Sequence, residues 1–361
     1  MSSDRESAPR LPCLVSSLTP LAIGIVLAFA LQLVLPGAIG PYNSRIAMDV
    51  GIAMILAVSL NIVNGMTGQF SIGHAGFMAL GGYAAGAITY YGSLQLWGDT
   101  PHPVGLFGAG SWLFALACVA GGAIAAAAGY AVGLPSLRLR GDYLAIVTLG
   151  FGEIVRVILQ QTNPRLSDVE AMRAATLKDW FPPPVGGSLG FDGLPKYTNL
   201  FWIALFLSLT VIVAYRLKQS RYGRAMISIR EDELAAQAMG VDIARTKVLA
   251  FVISAFFAGI AGGLFAHQQG AILSPKDAGF QRSFDLVIMT VLGGRGSISG
   301  VMLAAAILTI LPQALFDFEQ YRLIVFALLL IVMMIVRPQG LLGIKEIWQL
   351  WSPRRSKGGA A

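Results

Sequence analysis

Long apolar runs without a charged side chain recur along this chain. Four of them contain no Asp, Glu, Lys or Arg: residues 18–35, 73–91, 112–134 and 248–266. A helix needs about 20 such residues to cross the ~30 Å hydrocarbon core of a bilayer, because each residue advances it by about 1.5 Å. Only 12% of the residues are charged and 55% are hydrophobic, so the polar surface that a soluble domain needs is missing. The sequence predicts a membrane protein.

Six further segments complete the predicted set of spans: residues 46–63, 143–159, 200–215, 283–292, 300–316 and 323–336. The segment 283–292 is too short to cross as a regular helix and runs directly into a glycine-rich turn. We interpret it as a broken or re-entrant helix. The expected fold is an all-α polytopic membrane protein with about ten transmembrane helices, one of them short or broken.

The positions of the basic residues set the expected orientation. With ten spans and a cytoplasmic N-terminus, 17 of the 26 Lys and Arg residues fall on the cytoplasmic side. An excess of Lys and Arg in cytoplasmic loops is typical of membrane proteins. This bias explains the net charge of +7 without a nucleic-acid partner. We expect both termini in the cytoplasm. The predicted division is a tail at 1–17, a transmembrane domain at 18–343 with a periplasmic loop at 161–199 and a cytoplasmic loop at 216–247, and a basic tail at 344–361.

A polar, glycine-rich stretch separates the second and third predicted spans. Residues 64–74 read NGMTGQFSIGH and include Gly68, Gln69, Ser71 and His74. Polar groups at membrane depth are tolerated only where protein or a water-filled cavity satisfies them. Two interpretations stay open: these four residues line a translocation pathway, or the stretch is a cytoplasmic turn with a helix cap.

A similar glycine-rich segment lies in the second half of the chain. Residues 293–300 read GGRGSISG. Glycine-interrupted segments in both halves are typical of transporters built from repeats around a central site. The two segments are candidate counterparts.

Two charges lie inside a predicted span. Glu153 is ten residues beyond Tyr143, or roughly 15 Å deep, and Arg156 is one turn further out. Either charge facing lipid costs ~2.5–3.5 kcal/mol, whereas an i,i+3 pair returns only ~0.2–0.5 kcal/mol. Both side chains are therefore expected to face the helical bundle or a cavity, either in the translocation pathway or as a structural ion pair.

The predicted cytoplasmic loop contains a short amphipathic helix. Residues 231–240 begin with Glu231, Asp232 and Glu233, which suit the positive end of a helix dipole, and end at Gly240, where a C′ glycine belongs. Four small or apolar residues share one face of this helix: Leu234, Ala235, Ala238 and Met239. So short a helix is marginal alone, and we expect this face to dock in a groove of another subunit.

Motifs for catalysis, nucleotide binding and metal binding are missing from the sequence. None of the seven lysines follows a glycine, so there is no phosphate-binding G-x-x-x-x-G-K-[ST] loop. There is no H-E-x-x-H motif, and the two cysteines, Cys13 and Cys118, are far apart. We expect no catalytic residue, no metal and no cofactor in this chain.

Several motifs in a fixed order resemble the permease of bacterial branched-chain amino-acid ABC importers. They are residues 61–77 (NIVNGMTGQFSIGHAGF), 141–150 (GDYLAIVTLG), 229–247 and 293–300, and the resemblance covers residues 46–343. In such permeases an E-A-A-x-x-x-G loop docks on the ATPase subunit. Ala235, Ala236 and Gly240 keep that spacing, whereas Leu234 occupies the Glu position and the closing Leu-Pro is replaced around Ala250.

The resemblance implies one membrane subunit of an importer in the bacterial inner membrane. Its expected partners are a second related permease, two cytoplasmic ATPases that bind ATP and Mg²⁺, a periplasmic binding protein, and membrane lipid. The expected cargo is a branched-chain amino acid: leucine, isoleucine or valine. Urea, short amides and other amino acids are alternatives within the same family, and an ion-coupled secondary transporter is an alternative outside it.

Overall fold

The computed structural model describes residues 13–98, 108–136, 142–166, 169–174, 177–268 and 272–314, and single positions or pairs between 324 and 346. Within these ranges the chain is almost entirely helical, and the only β-structure is two isolated bridges. The expected all-α class is confirmed. Most of the predicted N-terminal tail, much of the span 323–336, and the tail 344–361 apart from Glu346 lie outside the described residues.

The described ranges hold twelve α-helices and three short helices of other types. The α-helices are α1 (Cys13–Asn61), α2 (His74–Trp97), α3 (Ala109–Ser136), α4 (Asp142–Gln160), α5 (Val169–Ala174), α6 (Leu177–Trp180), α7 (Leu200–Gln219), α8 (Arg221–Glu231), α9 (Glu233–Ala238), α10 (Ile243–Ala266), α11 (Phe280–Gly293) and α12 (Ile298–Ala314). A π-helix (Ile62–Met66) continues α1, and 3₁₀ turns occupy Gly187–Leu189 and Pro275–Ala278.

Within the described ranges, five helical segments are long and apolar enough to cross a membrane. They are Gly40–Met66, Ala109–Leu134, Tyr143–Gln160, Leu200–Gln219 and Ile243–Ala266. Two shorter apolar segments, Pro20–Val34 and Ile298–Ala314, also coincide with predicted spans. The first two predicted spans lie within α1 and the start of the π-helix that continues it. The backbone of α1 leaves the helical conformation at Gly40 (φ 78°). Helix α11 has 14 residues, or about 21 Å of length, and is the short helix that the sequence predicts.

Helices α2, α3 and α10 pack together through glycines. A side chain at Gly81 would meet the backbone of Gly259, and one at Gly262 would meet the backbone of Met78. Gly121 on α3 in turn approaches the carbonyl of Gly81. In a membrane no hydrophobic effect draws helices together, so close backbone contact at small residues supplies the packing. These three helices form the closely packed centre of the fold.

Two G-x-x-x-G pairs, Gly82–Gly86 on α2 and Gly259–Gly263 on α10, contribute unequally to this packing. Gly82 faces the backbone of Gly262, as expected for a contact between helices. Gly86, in contrast, faces the side chain of Leu194 in the loop between α6 and α7. Gly263 packs against Cys118 of α3.

Glu346 lies against the N-terminus of α12. Its carboxylate accepts hydrogen bonds from Lys218 Nζ (2.6 Å), Ser299 Oγ (2.6 Å) and the backbone N–H of Ile298 (3.1 Å). Lys218 Nζ also donates to the carbonyl of Gly296 at 2.6 Å. Burial raises the pKa of Glu346, but these hydrogen bonds outweigh it and hold the pKa below its ordinary value. An anion is stabilised there by the free N–H groups of the helix. Glu346, assigned to the tail by sequence, therefore packs against the helical domain.

Candidate functional site

The polar stretch after α1 folds back along that helix. His74 Nε2 lies 2.8 Å from the hydroxyl of Ser59, and Ser59 precedes Met66, the end of the π-helix, by seven residues. A helix advances about 10 Å over that distance. Residues 67–73 therefore run beside the last turns of α1 instead of projecting beyond its end. Lining of a translocation pathway by this stretch stays a prediction.

Two other helices hold the start of α2 in this position. The backbone N–H of Ile72 donates to Thr148 Oγ of α4 at 3.0 Å. The N–H of Ala75 donates to Ser283 Oγ of α11 at 3.2 Å. Side chains of neighbouring helices thus accept hydrogen bonds from backbone N–H groups that, in the middle of a regular helix, would donate to a carbonyl of the same helix. Irregular backbone is tolerated inside a membrane only where it is satisfied in this way.

The two glycine-rich segments contact each other. Asn61 Oδ1 accepts a hydrogen bond from Gly296 N at 3.0 Å, and Asn61 Nδ2 donates to the carbonyl of Ser297 at 3.3 Å. A side chain at Gly65 would meet both Asn61 and the backbone of Gly296. The candidate counterparts are therefore packed together at the junction of α1 with the α11–α12 turn.

Arg230 connects this junction to the 216–247 loop. Its Nη1 donates to the carbonyl of Gly65 at 3.1 Å, and its Nη2 forms an ion pair with Glu231 at 2.6 Å. The aliphatic part of the side chain lies against the backbone of Gly68, where a Cβ would meet Arg230 Cγ at 2.8 Å. Arg230 therefore joins the end of α8 to the π-helix and to Gly68.

A cavity of about 580 Å³ lies between the polar stretch and the loop. Its lining residues are Asn64, Thr67, Gly68, Gln69, Phe70, Leu144, Ile229, Arg230, Glu231, Asp232, Glu233, Lys247, Thr290, Val291 and Arg295. Gln69 is 8% exposed, and neither of its amide atoms has a hydrogen-bond partner among the described residues. Of the four predicted pathway residues in the stretch, Gly68 and Gln69 thus line a cavity.

Ser71 and His74 lie elsewhere. Both are 2% exposed and neither is among the lining residues of this cavity. The backbone N–H of Ser71 donates to Asn64 Oδ1 at 3.1 Å, and His74 contacts Ser59 as described above. In this conformation the two residues hold the polar stretch in place, and their role in a pathway stays a prediction.

Glu153 and Arg156 form the expected i,i+3 ion pair on α4, with 2.6 Å between Oε2 and Nε. The other carboxylate oxygen accepts from the backbone N–H of Phe280 at 3.3 Å, at the first residue of α11. The side chains are nevertheless 37% and 31% exposed in the single chain. The pair is therefore shielded on one side by α11 and is open on the other.

The short helix of the 216–247 loop begins later than the sequence predicts. Glu231 is the last residue of α8, and α9 starts at Glu233. The prediction that all three acidic residues lie in one first turn is wrong. Asp232 is the N-cap, and its Oδ1 accepts from the N–H groups of Leu234 (2.9 Å) and Ala235 (3.0 Å). Capping by a carboxylate requires an extended backbone at that residue, and this separates α8 from α9.

One face of α9 is open, as predicted. Leu234 is 66% and Met239 85% exposed, and Ala235 and Ala238 are exposed beside them. Gly240 adopts a left-handed conformation (φ 83°) after the helix, as expected for a C′ glycine. Ala236 differs from its neighbours because it is buried and faces the rest of the chain.

The inner side of α9 is fixed to α10. Glu233 accepts a hydrogen bond from Lys247 Nζ at 2.9 Å, and the Lys247 side chain is only 5% exposed. The contacts of Lys247, Arg230 and Asn61 were not predicted. Each is a single polar residue whose partner lies outside its own helix, so no local pattern marks it.

A family model described as "Branched-chain amino acid transport system / permease component" matches residues 42–336. The chain belongs to this permease family. The resemblance found in the motifs is thereby confirmed.

Curated relatives of the permease cover most of its length. It is 37% identical over 347 residues to the high-affinity branched-chain amino acid transport system permease protein LivM of Escherichia coli (strain K12), which spans 92% of this chain and 77% of that protein. It is 28% identical over 301 residues to LivH of the same strain, spanning 81% and 92%. A probable LivM of Methanocaldococcus jannaschii is 24% identical over 84% of this chain and 94% of that protein. No solved structure matches the permease.

Proposed function

We propose that the chain is a LivM-type permease subunit of an ATP-driven importer and that it moves leucine, isoleucine and valine across the inner membrane. The observation that carries this proposal is the 37% identity to a LivM permease over 92% of the chain. The exposed apolar face of α9 supports it, because a transport subunit without its own nucleotide site needs a surface on which an ATPase can dock.

The proposed topology has ten spans with both termini in the cytoplasm. Seven apolar helical segments coincide with predicted spans, and α2, α11 and residues 323–336 supply the others. The 216–247 loop, with α8 and α9, then lies on the cytoplasmic side together with most of the basic residues. The loop 161–199 lies on the periplasmic side, where a binding protein delivers its cargo.

A second permease subunit is proposed to cover α4. The Glu153–Arg156 pair is about one-third exposed in the single chain. Exposure of either charge to lipid costs ~2.5–3.5 kcal/mol. A second permease subunit packed on this face would shield the pair from lipid. The pair would then lie between the two subunits, at a translocation pathway that they share.

The coupling mechanism follows from the contacts of the loop. Closure of two ATPases around ATP and Mg²⁺ would push α9, and Asp232 at its start joins it directly to α8. Arg230 at the end of α8 holds the carbonyl of Gly65, and Asn61 holds the backbone of Gly296. Movement of α9 would thus shift the π-helix and the turn before α12 together. This chain supplies positioning and movement, and hydrolysis takes place on the ATPase subunits.

Uptake into proteoliposomes tests the proposed function. The assembled importer, with both permeases, the ATPases and the binding protein, is expected to accumulate radiolabelled leucine only when ATP is present. The chain alone is expected to accumulate none in a proton or sodium gradient. Urea and acetamide are run in parallel. Uphill uptake by the chain alone would identify an ion-coupled transporter, and uptake of urea without leucine would identify the wrong cargo.

Replacing Arg230 by glutamine tests the coupling contact. We expect the variant to assemble with the ATPase, because the α9 face is untouched, but to move roughly tenfold less leucine per ATP hydrolysed, since a hydrogen bond from a charged donor contributes ~1.5–3 kcal/mol. Uptake and phosphate release are measured on the same vesicles. Arg224→Gln is the matched control, because Arg224 lies on the same helix and is exposed. An unchanged ratio in R230Q would rule out the proposed transmission.

A further inference from the structure

An unpaired amide marks the cavity between the polar stretch and the 216–247 loop. Both the nitrogen and the oxygen of the Gln69 side chain are buried without a partner among the described residues, although the residue is only 8% exposed. Buried polar groups in folded proteins are almost always hydrogen-bonded, and each exception needs an explanation. Since Gln69 lines the cavity, a ligand there could accept from and donate to its amide.

The charges around the cavity are paired with one exception. Lys247 pairs with Glu233 and Arg230 with Glu231, and Asp232 accepts the two N–H groups that begin α9. Arg295 is exposed and forms no ion pair within the described part of the chain. Among the described residues, the cavity therefore offers one cation and one amide without a partner.

The remaining wall has an apolar side beside the polar residues Asn64, Thr67 and Thr290. Phe70, Leu144 and Val291 come from the polar stretch, α4 and α11 respectively. The volume of about 580 Å³ lies in the range of small-molecule sites, about 300–1,000 Å³. A matching ligand has a carboxylate to pair with Arg295, polar groups to hydrogen-bond with the Gln69 amide, and an aliphatic side chain to contact the apolar side of the wall. A small apolar amino acid has all three.

We propose that the cavity is a cytoplasm-facing binding site for a branched-chain amino acid, with the carboxylate at Arg295 and a polar group at the Gln69 amide. The proposal rests on the proposed function for its cargo and its sidedness. A bound amino acid would contact the 216–247 loop and the polar stretch at once. Amino acid that has accumulated inside the cell would then resist the movement of the loop and slow the ATP-driven cycle.

Ligand protection of a cysteine reports occupancy of this site. Phe70→Cys is introduced with Cys13→Ser in the assembled importer, and the remaining Cys118 is fully buried. Millimolar leucine, without binding protein, is expected to slow maleimide labelling of the new cysteine several-fold. Glutamate and lysine are expected to have little effect, because their charged side chains would lie against Phe70, Leu144 and Val291 without a partner. Equal labelling with and without leucine would overturn the proposal.

Gln69→Leu separates binding from folding. Leucine has nearly the same size and removes both unpaired groups, so the melting temperature is expected to stay the same or to rise, while leucine protection weakens by at least about tenfold. A purely structural role for Gln69 predicts the opposite, a fall in melting temperature with protection retained, and would overturn the proposal. Gln161→Leu is the matched control, since Gln161 is exposed and lies outside the cavity.

ATP-driven uptake by the unsubstituted importer is measured in the same preparation. If leucine is taken up but does not protect the cysteine, only the cytoplasmic site is wrong. If leucine is not taken up at all, the proposed cargo is wrong and the site falls with it. Vesicles loaded with leucine are expected to show slower ATP hydrolysis than empty ones, and Q69L is expected to remove most of that difference.

Discussion

Met239→Glu is expected to abolish ATP-driven uptake while leaving the permease folded. Met239 is 85% exposed, so its replacement removes little packing within the chain. In the assembled importer the same side chain would be buried in the ATPase groove, where an unpaired carboxylate has no compensating partner. Substitutions at the centre of an interface cost ~2–4 kcal/mol. Docking of the ATPase would then weaken by a factor of roughly 30 to 1,000.

Co-purification of the ATPase with a tagged permease measures this effect together with uptake. Gln237→Glu is the matched control, because it adds the same charge to the same helix outside the face formed by Leu234, Ala235, Ala238 and Met239. The control is expected to retain the ATPase and most of the uptake. Normal retention of the ATPase by M239E would show that this face of α9 is not the docking surface.

The positions of the helices could be predicted from the sequence because a membrane imposes a simple rule. Every backbone group must be satisfied inside the segment, so an apolar run of sufficient length has to be helical. The same rule explains why α11 is short, because its 14 residues end where Gly293 and Gly294 interrupt the apolar pattern. The first residue of α9 was harder to predict from the sequence. Glu231, Asp232 and Glu233 are chemically similar, and only the geometry of the structure shows that Asp232 is the N-cap.

Contacts between distant segments could not be predicted. Asn61 and Gly296 are 235 residues apart, and Arg230 and Gly65 are 165 apart. Each contact joins one polar side chain to one backbone group. Because nearly all residues carry the same backbone groups, the sequence does not show which residue is the partner. Glu346 is a further example, since an acidic residue at the start of a basic tail resembles a solvated one until the N-terminus of α12 is placed beside it. The similarity of the two glycine-rich segments was visible, but their direct contact was not.

The packing of α2, α3 and α10 is expected to depend on two glycines. At Gly81 a methyl group would overlap the backbone of Gly259, and at Gly262 it would overlap the backbone of Met78 and approach Gly82 N to 2.8 Å. Backbone atoms cannot rotate away as a flexible side chain can, so the helices would have to separate. Each substitution by alanine is expected to cost ~1–3 kcal/mol or more. The double variant G81A/G262A would therefore lose a large part of the ~5–15 kcal/mol that stabilises a typical fold.

Gly92→Ala combined with Gly133→Ala is the matched control for this prediction. Gly92 is on α2 and Gly133 on α3, and a methyl group at either would meet its nearest neighbour at 3.6 Å, an ordinary contact. Alanine also restricts the unfolded chain more than glycine does, by ~0.5–1 kcal/mol in a helix. The control is thus expected to melt at the same or a higher temperature, whereas G81A/G262A should give little monodisperse protein in detergent. Equal melting temperatures for the two double variants would mean that the helices are not in close backbone contact, and the α2–α3–α10 centre of the fold would be wrong.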